Sequence, residues 1–242
     1  MIVYPAIDIK NSKCVRLYQG DFLRETIYSV DPFAMAKKFA AEGAGWIHIV
    51  DLDGAKDPDL NQSSLISDII KETSIKIQTG GGIRTKNQVE SLLNIGAERV
   101  VIGSMAVKQP SEVLAWLSDF GSDHLVLALD VIYNSNNQPM ITSNAWKNIS
   151  EYSLFEMIQY YESAGLKHVL CTNISLDGTL SGPDYELYNQ LMKKFPGLCL
   201  QASGGIQSID DIKLLQEQGL SGAIVGRALY ENKFTLSEVL TC

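Results

Sequence analysis

Apolar residues in this chain fall in short unbroken runs, and longer amphipathic stretches lie between them. The runs are Ile2 to Ile7, ending on Asp8; Ala44 to Val50, ending on Asp51; Ile75 to Thr79; Glu98 to Gly103; Leu125 to Leu129, ending on Asp130; Val169 to Thr172; Leu198 to Ala202; and Ala223 to Gly226. Continuous apolar runs of this length are expected of strands covered on both faces. Between them, apolar residues at helical spacing predict helices. Asp31-Pro32 opens one with an N-cap and a first-turn proline, and Phe33, Ala36, Phe39 and Ala40 form its inner face. Others are expected over 63–73, 86–95, 111–120, 154–164, 184–194 and 209–218. Two stretches break the rhythm. Lys10 to Gln19 reads as a long polar connection, and Tyr133 to Trp146, with Asn134-Ser135-Asn136-Asn137, reads as a turn-tipped excursion or hairpin.

Part of the pattern occurs twice. Ile77-Gln78-Thr79-Gly80-Gly81-Gly82-Ile83-Arg84 is matched 123 residues later by Leu200-Gln201-Ala202-Ser203-Gly204-Gly205-Ile206-Gln207. Each copy is followed at the same distance by an apolar run ending in glycine, Gly103-Ser104 in one and Gly226-Arg227 in the other. Asp8 and Asp130 also correspond, and Leu52-Asp53-Gly54-Ala55 has a counterpart in Asp177-Gly178-Thr179. Eight strand-then-helix units with half-to-half similarity predict an α/β fold, a (βα)8 TIM barrel with an internal half-barrel repeat, rather than an open doubly wound sheet. One domain over residues 1–242 is expected.

Polar residues and glycines gather after the strands, at the end where such barrels hold their sites. Strands one and five lie opposite each other in an eight-stranded ring, so Asp8 and Asp130 would face each other across the mouth. Paired carboxylates can divide acid and base roles. The glycine clusters let backbone N–H groups approach an oxyanion, one near Gly81, Gly82, Gly103 and Ser104, the other near Gly178, Ser203, Gly204, Gly205, Gly226 and Arg227. A ligand with phosphate at both ends and reaction near its middle fits this layout. Thr172 is placed to bond a sugar or hold a carboxylate, and Trp146 to close over a heterocycle.

Composition narrows the partners. Net charge is −8, against a nucleic-acid surface, and no run approaches the length of a membrane span. A small-molecule ligand, a cytoplasmic location and a monomer are expected. Cys14, Cys171, Cys199 and Cys242 lack metal-ligand spacing and read as reduced thiols, and His48, His124 and His168 read as packing residues. Neither a metal nor an organic cofactor is expected.

Pro5-Ala6-Ile7-Asp8-Ile9-Lys10, Cys14-Val15-Arg16-Leu17-Tyr18-Gln19-Gly20-Asp21, Val50-Asp51-Leu52-Asp53-Gly54-Ala55, Gly80-Gly81-Gly82-Ile83-Arg84 and Asp177-Gly178-Thr179-Leu180-Ser181-Gly182-Pro183 together resemble the phosphoribosylformimino-aminoimidazole-carboxamide ribotide isomerase family of histidine biosynthesis. The resemblance covers nearly the whole chain. It implies an Amadori rearrangement of a bis-phosphorylated aminoaldose, with Asp8 as proton acceptor, Asp130 as donor, Thr172 and Asp177 in support, and Arg16 on substrate phosphate or carboxamide. Members of the family differ over whether the position of Asp130 or of Asp177 supplies the acid. Ala145 stands where the family usually has glycine before Trp146. The alternatives are the sister cyclase of the same pathway, fed with ammonia through its barrel, an isomerase serving a tryptophan-pathway substrate as well, and a phosphate-ligand-binding module without catalysis.

Overall fold

The computed structural model describes residues 1–144 and 146–241. Ala145 and Cys242, both singled out above, lie outside the described residues. Twelve strands occur among them: β1 (Ile2–Lys10), β2 (Lys13–Tyr18), β3 (Asp21–Ser29), β4 (Trp46–Asp51), β5 (Lys76–Gly80), β6 (Arg99–Ile102), β7 (Leu125–Tyr133), β8 (Pro139–Ser143), β9 (Asn148–Ser153), β10 (His168–Asn173), β11 (Cys199–Ser203) and β12 (Gly222–Val225). Eight of these run parallel in the cyclic order β1-β4-β5-β6-β7-β10-β11-β12. The ring closes because β12 pairs with β1, Ile2 against Gly222, while β7 pairs with β10, Thr172 against Asp130. Closure leaves no barrel edge unpaired, and β1 and β7 stand four strands apart in either direction.

The remaining four strands form two antiparallel extensions. β2 and β3 continue from the end of β1, and β8 and β9 from the end of β7. Lys10 to Gln19 is therefore a β-hairpin arm and not the loop its polarity indicated. The arm has a buried root: Cys14 and Val15 of β2 are inside, paired with Ile9 and Asp8 of β1. For the same reason β1 and β7 do not stop at their aspartates. Each runs on, to Lys10 and Tyr133, so Asp8 and Asp130 lie where a barrel strand becomes a hairpin strand.

Helices follow the strands: α1 (Pro32–Ala41), α2 (Leu52–Lys56), α3 (Ser63–Thr73), α4 (Lys86–Asn94), α5 (Ser104–Lys108), α6 (Pro110–Phe120), α7 (Leu154–Glu162), α8 (Tyr185–Lys194), α9 (Ile209–Glu217), α10 (Arg227–Tyr230) and α11 (Leu236–Leu240). The sequence repeat extends to their caps. Thr85 opens α4 through a reciprocal bond with Gln88, and Ser208, the matching residue, opens α9 through one with Asp211. The four short helices α2, α5, α10 and α11 carry too few residues for a periodic signal and were not expected.

One apolar core fills the space between strands and helices, with Ile7, Ile47, Ile77, Leu127 and Val225 fully buried. A second, smaller cluster of Tyr4, Ala6, Val101, Val126, Leu170 and Ile224 fills the barrel lumen. In the same lumen, Gln78 and Gln201 reach across the axis and bond each other reciprocally, Nε2 to Oε1 at 2.8 and 3.1 Å. Gln78 also bonds His48 Nδ1 at 3.0 Å. Burial drives the His48 pKa down to about 3, so its ring is neutral. Among the described residues no helix is long and apolar enough to cross a membrane.

Candidate active site

Asp8 sits between three strands, opposite Val50 of β4 and Val15 of β2. Its Oδ2 is 2.8 Å from Arg16 Nη1, with both side chains about 15% exposed or less. Arg16 belongs to the hairpin arm, and the arm's curl brings it back over the barrel. Burial pushes the Asp8 carboxyl up to about 6. The Arg16 guanidinium pulls in the opposite direction, and the charge of Asp177 adds to the rise.

Asp130 answers from the far side. Its Oδ2 accepts the indole N–H of Trp146 at 2.8 Å, and the Thr172 hydroxyl, from the adjacent strand, donates to it as well. Burial still raises its pKa against both bonds, and Asp177 adds to the rise. Asp177 lies in the turn after β10. It too is raised by burial, while Arg16 and the Gly178 N–H counteract. The three carboxylates thus share one electrostatic neighbourhood, with Arg16 beside two of them.

The glycine clusters take up conformations that side chains resist. Gly81, Gly82, Gly204 and Gly205 all have φ between +71° and +119°. A methyl group at Gly82 would lie 1.9 Å from the Gly54 carbonyl oxygen, and one at Gly205 would lie 2.1 Å from that of Gly182. Both contacts are backbone against backbone, so neither can yield by side-chain movement. The glycines ending the next strands are also alike. Gly103 opens α5 at φ −97°, ψ −103°, and Gly226 opens α10 at φ −109°, ψ −99°. Neither helix has a side-chain cap, so its first-turn N–H groups have no side-chain acceptor at the N-cap. Arg16, Asp177, Gly178, Ser203, Gly204, Gly205, Gly226 and Arg227 are neighbours around one small pocket. The structure therefore brings the second group of sequence candidates together.

Loops from both halves meet above the mouth. A methyl at Gly20 (φ +69°), at the tip of the β2–β3 arm, would strike the Trp146 ring at 2.3 Å. Gln19 donates its N–H to the Asp177 carbonyl at 3.3 Å and its side-chain amide to the Ser175 carbonyl at 2.8 Å. Two candidates are engaged locally. Arg227 bonds Glu231 and the Gly178 carbonyl, and the Ser104 hydroxyl accepts the Asn144 N–H at 3.1 Å. The sequence reading missed the His48–Gln78–Gln201 layer beneath the carboxylates. Its signal was present, because glutamine stands at the same place in both copies of the repeat. It also missed Tyr230, whose hydroxyl bonds the Ala6 carbonyl at 3.0 Å under Asp8; a lone tyrosine near the C-terminus carries no such signal.

Comparison with known proteins follows the same lines. The family model described as histidine biosynthesis protein matches residues 2–235. A protein of Elusimicrobium minutum (strain Pei191) is 48% identical over 241 residues, covering 100% of both chains. One of Psychromonas ingrahamii is 46% identical over 241 residues, covering 100% of this chain and 98% of the other, and one of Shewanella loihica is 44% identical with the same coverage. All three relatives are named 1-(5-phosphoribosyl)-5-((5-phosphoribosylamino)methylideneamino) imidazole-4-carboxamide isomerase. With its closed eight-stranded barrel and its match along nearly the full length, this chain belongs to the histidine biosynthesis protein family.

Proposed function

We propose that the chain catalyses the isomerisation for which these relatives are named, an Amadori rearrangement of an N-glycosidic aminoaldose to an aminoketose, with a phosphoribosyl group at each end of the substrate. A carboxylic acid protonates the ribose ring oxygen, and the ring opens to a protonated Schiff base. Asp8 then takes the proton from C2′, and the resulting enaminol tautomerises to the ketone. The iminium group draws electrons from C2′, which is why a carboxylate is a strong enough base.

The observation that carries this reading is the group of three largely desolvated carboxylates, Asp8 and Asp177 beside the Arg16 guanidinium and Asp130 coupled to Asp177. Burial and like charge raise all three above the usual carboxylate range, which favours dividing acid and base roles among them. Asp8 bears the ion pair and serves as base. Asp130, held by Thr172 and Trp146, serves as donor, with Asp177 as the other candidate. The substrate's phosphates would rest at Gly81, Gly82, Gly103 and Ser104 on one side and at Gly178, Gly204, Gly205 and Gly226 on the other. Ser203 and Arg227 line the second of these sites, while Gly20 and Trp146 close over the middle.

The filled lumen favours the isomerase over the ammonia-fed cyclase, because Tyr4, Leu170 and Ile224 occupy the path such a feed would use. A carboxylate-free mouth would have favoured a mere binding module. The chain is proposed to act as one domain over residues 1–242, as a cytoplasmic monomer. The test is an ultraviolet assay of the purified protein with the aminoaldose, coupled to the cyclase and its glutaminase, beside Asp8→Asn, Asp130→Asn and Asp177→Asn. Turnover by the wild type, with substrate bound but not converted by Asp8→Asn, is the expected result. Binding without turnover by the wild type would sink the isomerase reading.

A further inference from the structure

The two strand-ending glycines share a backbone conformation but not their surroundings. A methyl built at Gly103 has nothing within 4 Å, whereas one built at Gly226 meets the Arg16 guanidinium, Nη2 at 2.0 Å and Cζ at 2.4 Å. Arg16 therefore occupies, in the second half, the place that stays open in the first. The same guanidinium bonds Asp8 through Nη1 at 2.8 Å. One nitrogen faces the base and the other lies on the cradle.

We propose that an oxyanion in the Gly205–Gly226 cradle competes with the Asp8 carboxylate for the Arg16 guanidinium, so that docking of the substrate's phosphate there releases Asp8 to act as base. The proposal rests on the isomerase reading for the role of Asp8. In the unloaded protein the carboxylate is neutralised by its partner and is a weak proton acceptor. An anion at Gly226 draws the flexible arginine head by charge and by fork-shaped hydrogen bonding, and the Asp8 pair loosens. Asp177 keeps the head in the mouth while it turns, since it is the second carboxylate facing Arg16. Among the described residues the first cradle has no such device: at Gly103 and Ser104 the neighbouring polar groups are Asn144 and Lys108, bonded to one another. By linkage, whatever weakens the hold of Asp8 on Arg16 must tighten the anion at Gly226 by the same factor.

The experiment uses sulfate as the probe, at pH 7.5 and fixed ionic strength with chloride as the control, so that no turnover is involved. Amide ¹⁵N–¹H shifts of Gly205 and Gly226 read one cradle, and those of Gly103 and Ser104 the other. Asp8→Asn is expected to tighten sulfate about five- to tenfold at Gly205 and Gly226, and by less than about twofold at Gly103 and Ser104. In an Arg16→Gln background the effect of Asp8→Asn is expected to fall below about twofold. Undiminished tightening without Arg16 would mean simple repulsion through space and would overturn the proposal, as would equal tightening in both cradles or none. A second measurement needs only the wild type: the ¹³C-labelled Asp8 carboxyl should titrate at higher pH in sulfate than in chloride, and an unmoved titration also overturns it. Loss of turnover in the coupled assay, by contrast, bears on the isomerase reading and leaves these shifts as they are.

Discussion

The two halves of the barrel put the same backbone to different uses. After β4, Asp51 and Asp53 turn into the protein. Asp51 accepts the N–H groups of Gly54 and Gln62 at 2.8 and 2.6 Å, and Asp53 accepts the Asn11 N–H at 2.7 Å and the Gln62 amide at 2.8 Å. After β10 the corresponding turn sends Asp177 into the mouth beside Arg16 and Asp8. The cap of the second half is made elsewhere, by Asn173 and Asp184. Backbone symmetry supplies two similar ends for a two-ended ligand, and unlike side chains give those ends a direction.

The largest effect expected is on catalysis. Asp8→Asn and either Asp130→Asn or Asp177→Asn should lower kcat by about 10²–10⁴ while substrate still binds, read from the coupled assay and a binding titration. If the symmetric partner of Asp177 at the first half, Asp53, gave the same loss on conversion to Asn, the functional asymmetry would be false. Next come the backbone positions where the halves agree. Gly82→Ala and Gly205→Ala should each destabilise by about 2–4 kcal/mol in urea, because a positive φ and a backbone clash act together. A difference of more than about 2 kcal/mol between them would break the equivalence.

A pH effect is third. The Asp8 carboxyl stands at about 6 in the folded chain and near 3.9 when unfolded. The folded state then binds more protons between those values, so stability falls as pH rises through about 4 to 6, by roughly 1–3 kcal/mol for this group. Asp8→Asn should flatten that part of the stability profile. The same value places the acidic limb of kcat/KM near 6, since the base works only when ionised. Asp51→Ala should cost about 1–2 kcal/mol through lost capping, with kcat for the remaining folded protein within a few-fold of wild type. Smallest of all is Gly20→Ala. Its methyl would displace Trp146, and a several-fold rise in KM, on the order of 1 kcal/mol, is the expected reading.

The barrel was legible because eight buried parallel strands leave unbroken apolar runs, and because the chain writes half its pattern twice. Helix α3 emerges over 63–73 as expected. The hairpin arms were harder. A strand paired on one side and wetted on the other, such as β3 with Leu23 94% exposed, has no apolar run to announce it. In the mouth, Asp8, Asp130 and the glycines were readable from their place in the repeat. The difference between Asp53 and Asp177 was not, since both are aspartates before a glycine after a strand, and Asp177 was assigned through the family resemblance; which one enters the mouth depends on neighbours such as Arg16 that the local sequence does not contain. The pairing of Gly20 with Trp146, 126 residues apart, depends in the same way on the fold bringing two arms together.

The reciprocal bond between Gln78 and Gln201 has a meaning of its own. Two equivalent positions facing each other across an axis must be occupied by a group that complements its own copy, as in an isologous dimer contact. A carboxylate would meet a carboxylate there and an ammonium an ammonium, whereas a primary amide donates and accepts in equal measure. Gln78 and Gln201 are thus a seam at which two half-sized pieces fit without either having to change, the kind of self-matching joint that gene duplication and fusion would preserve.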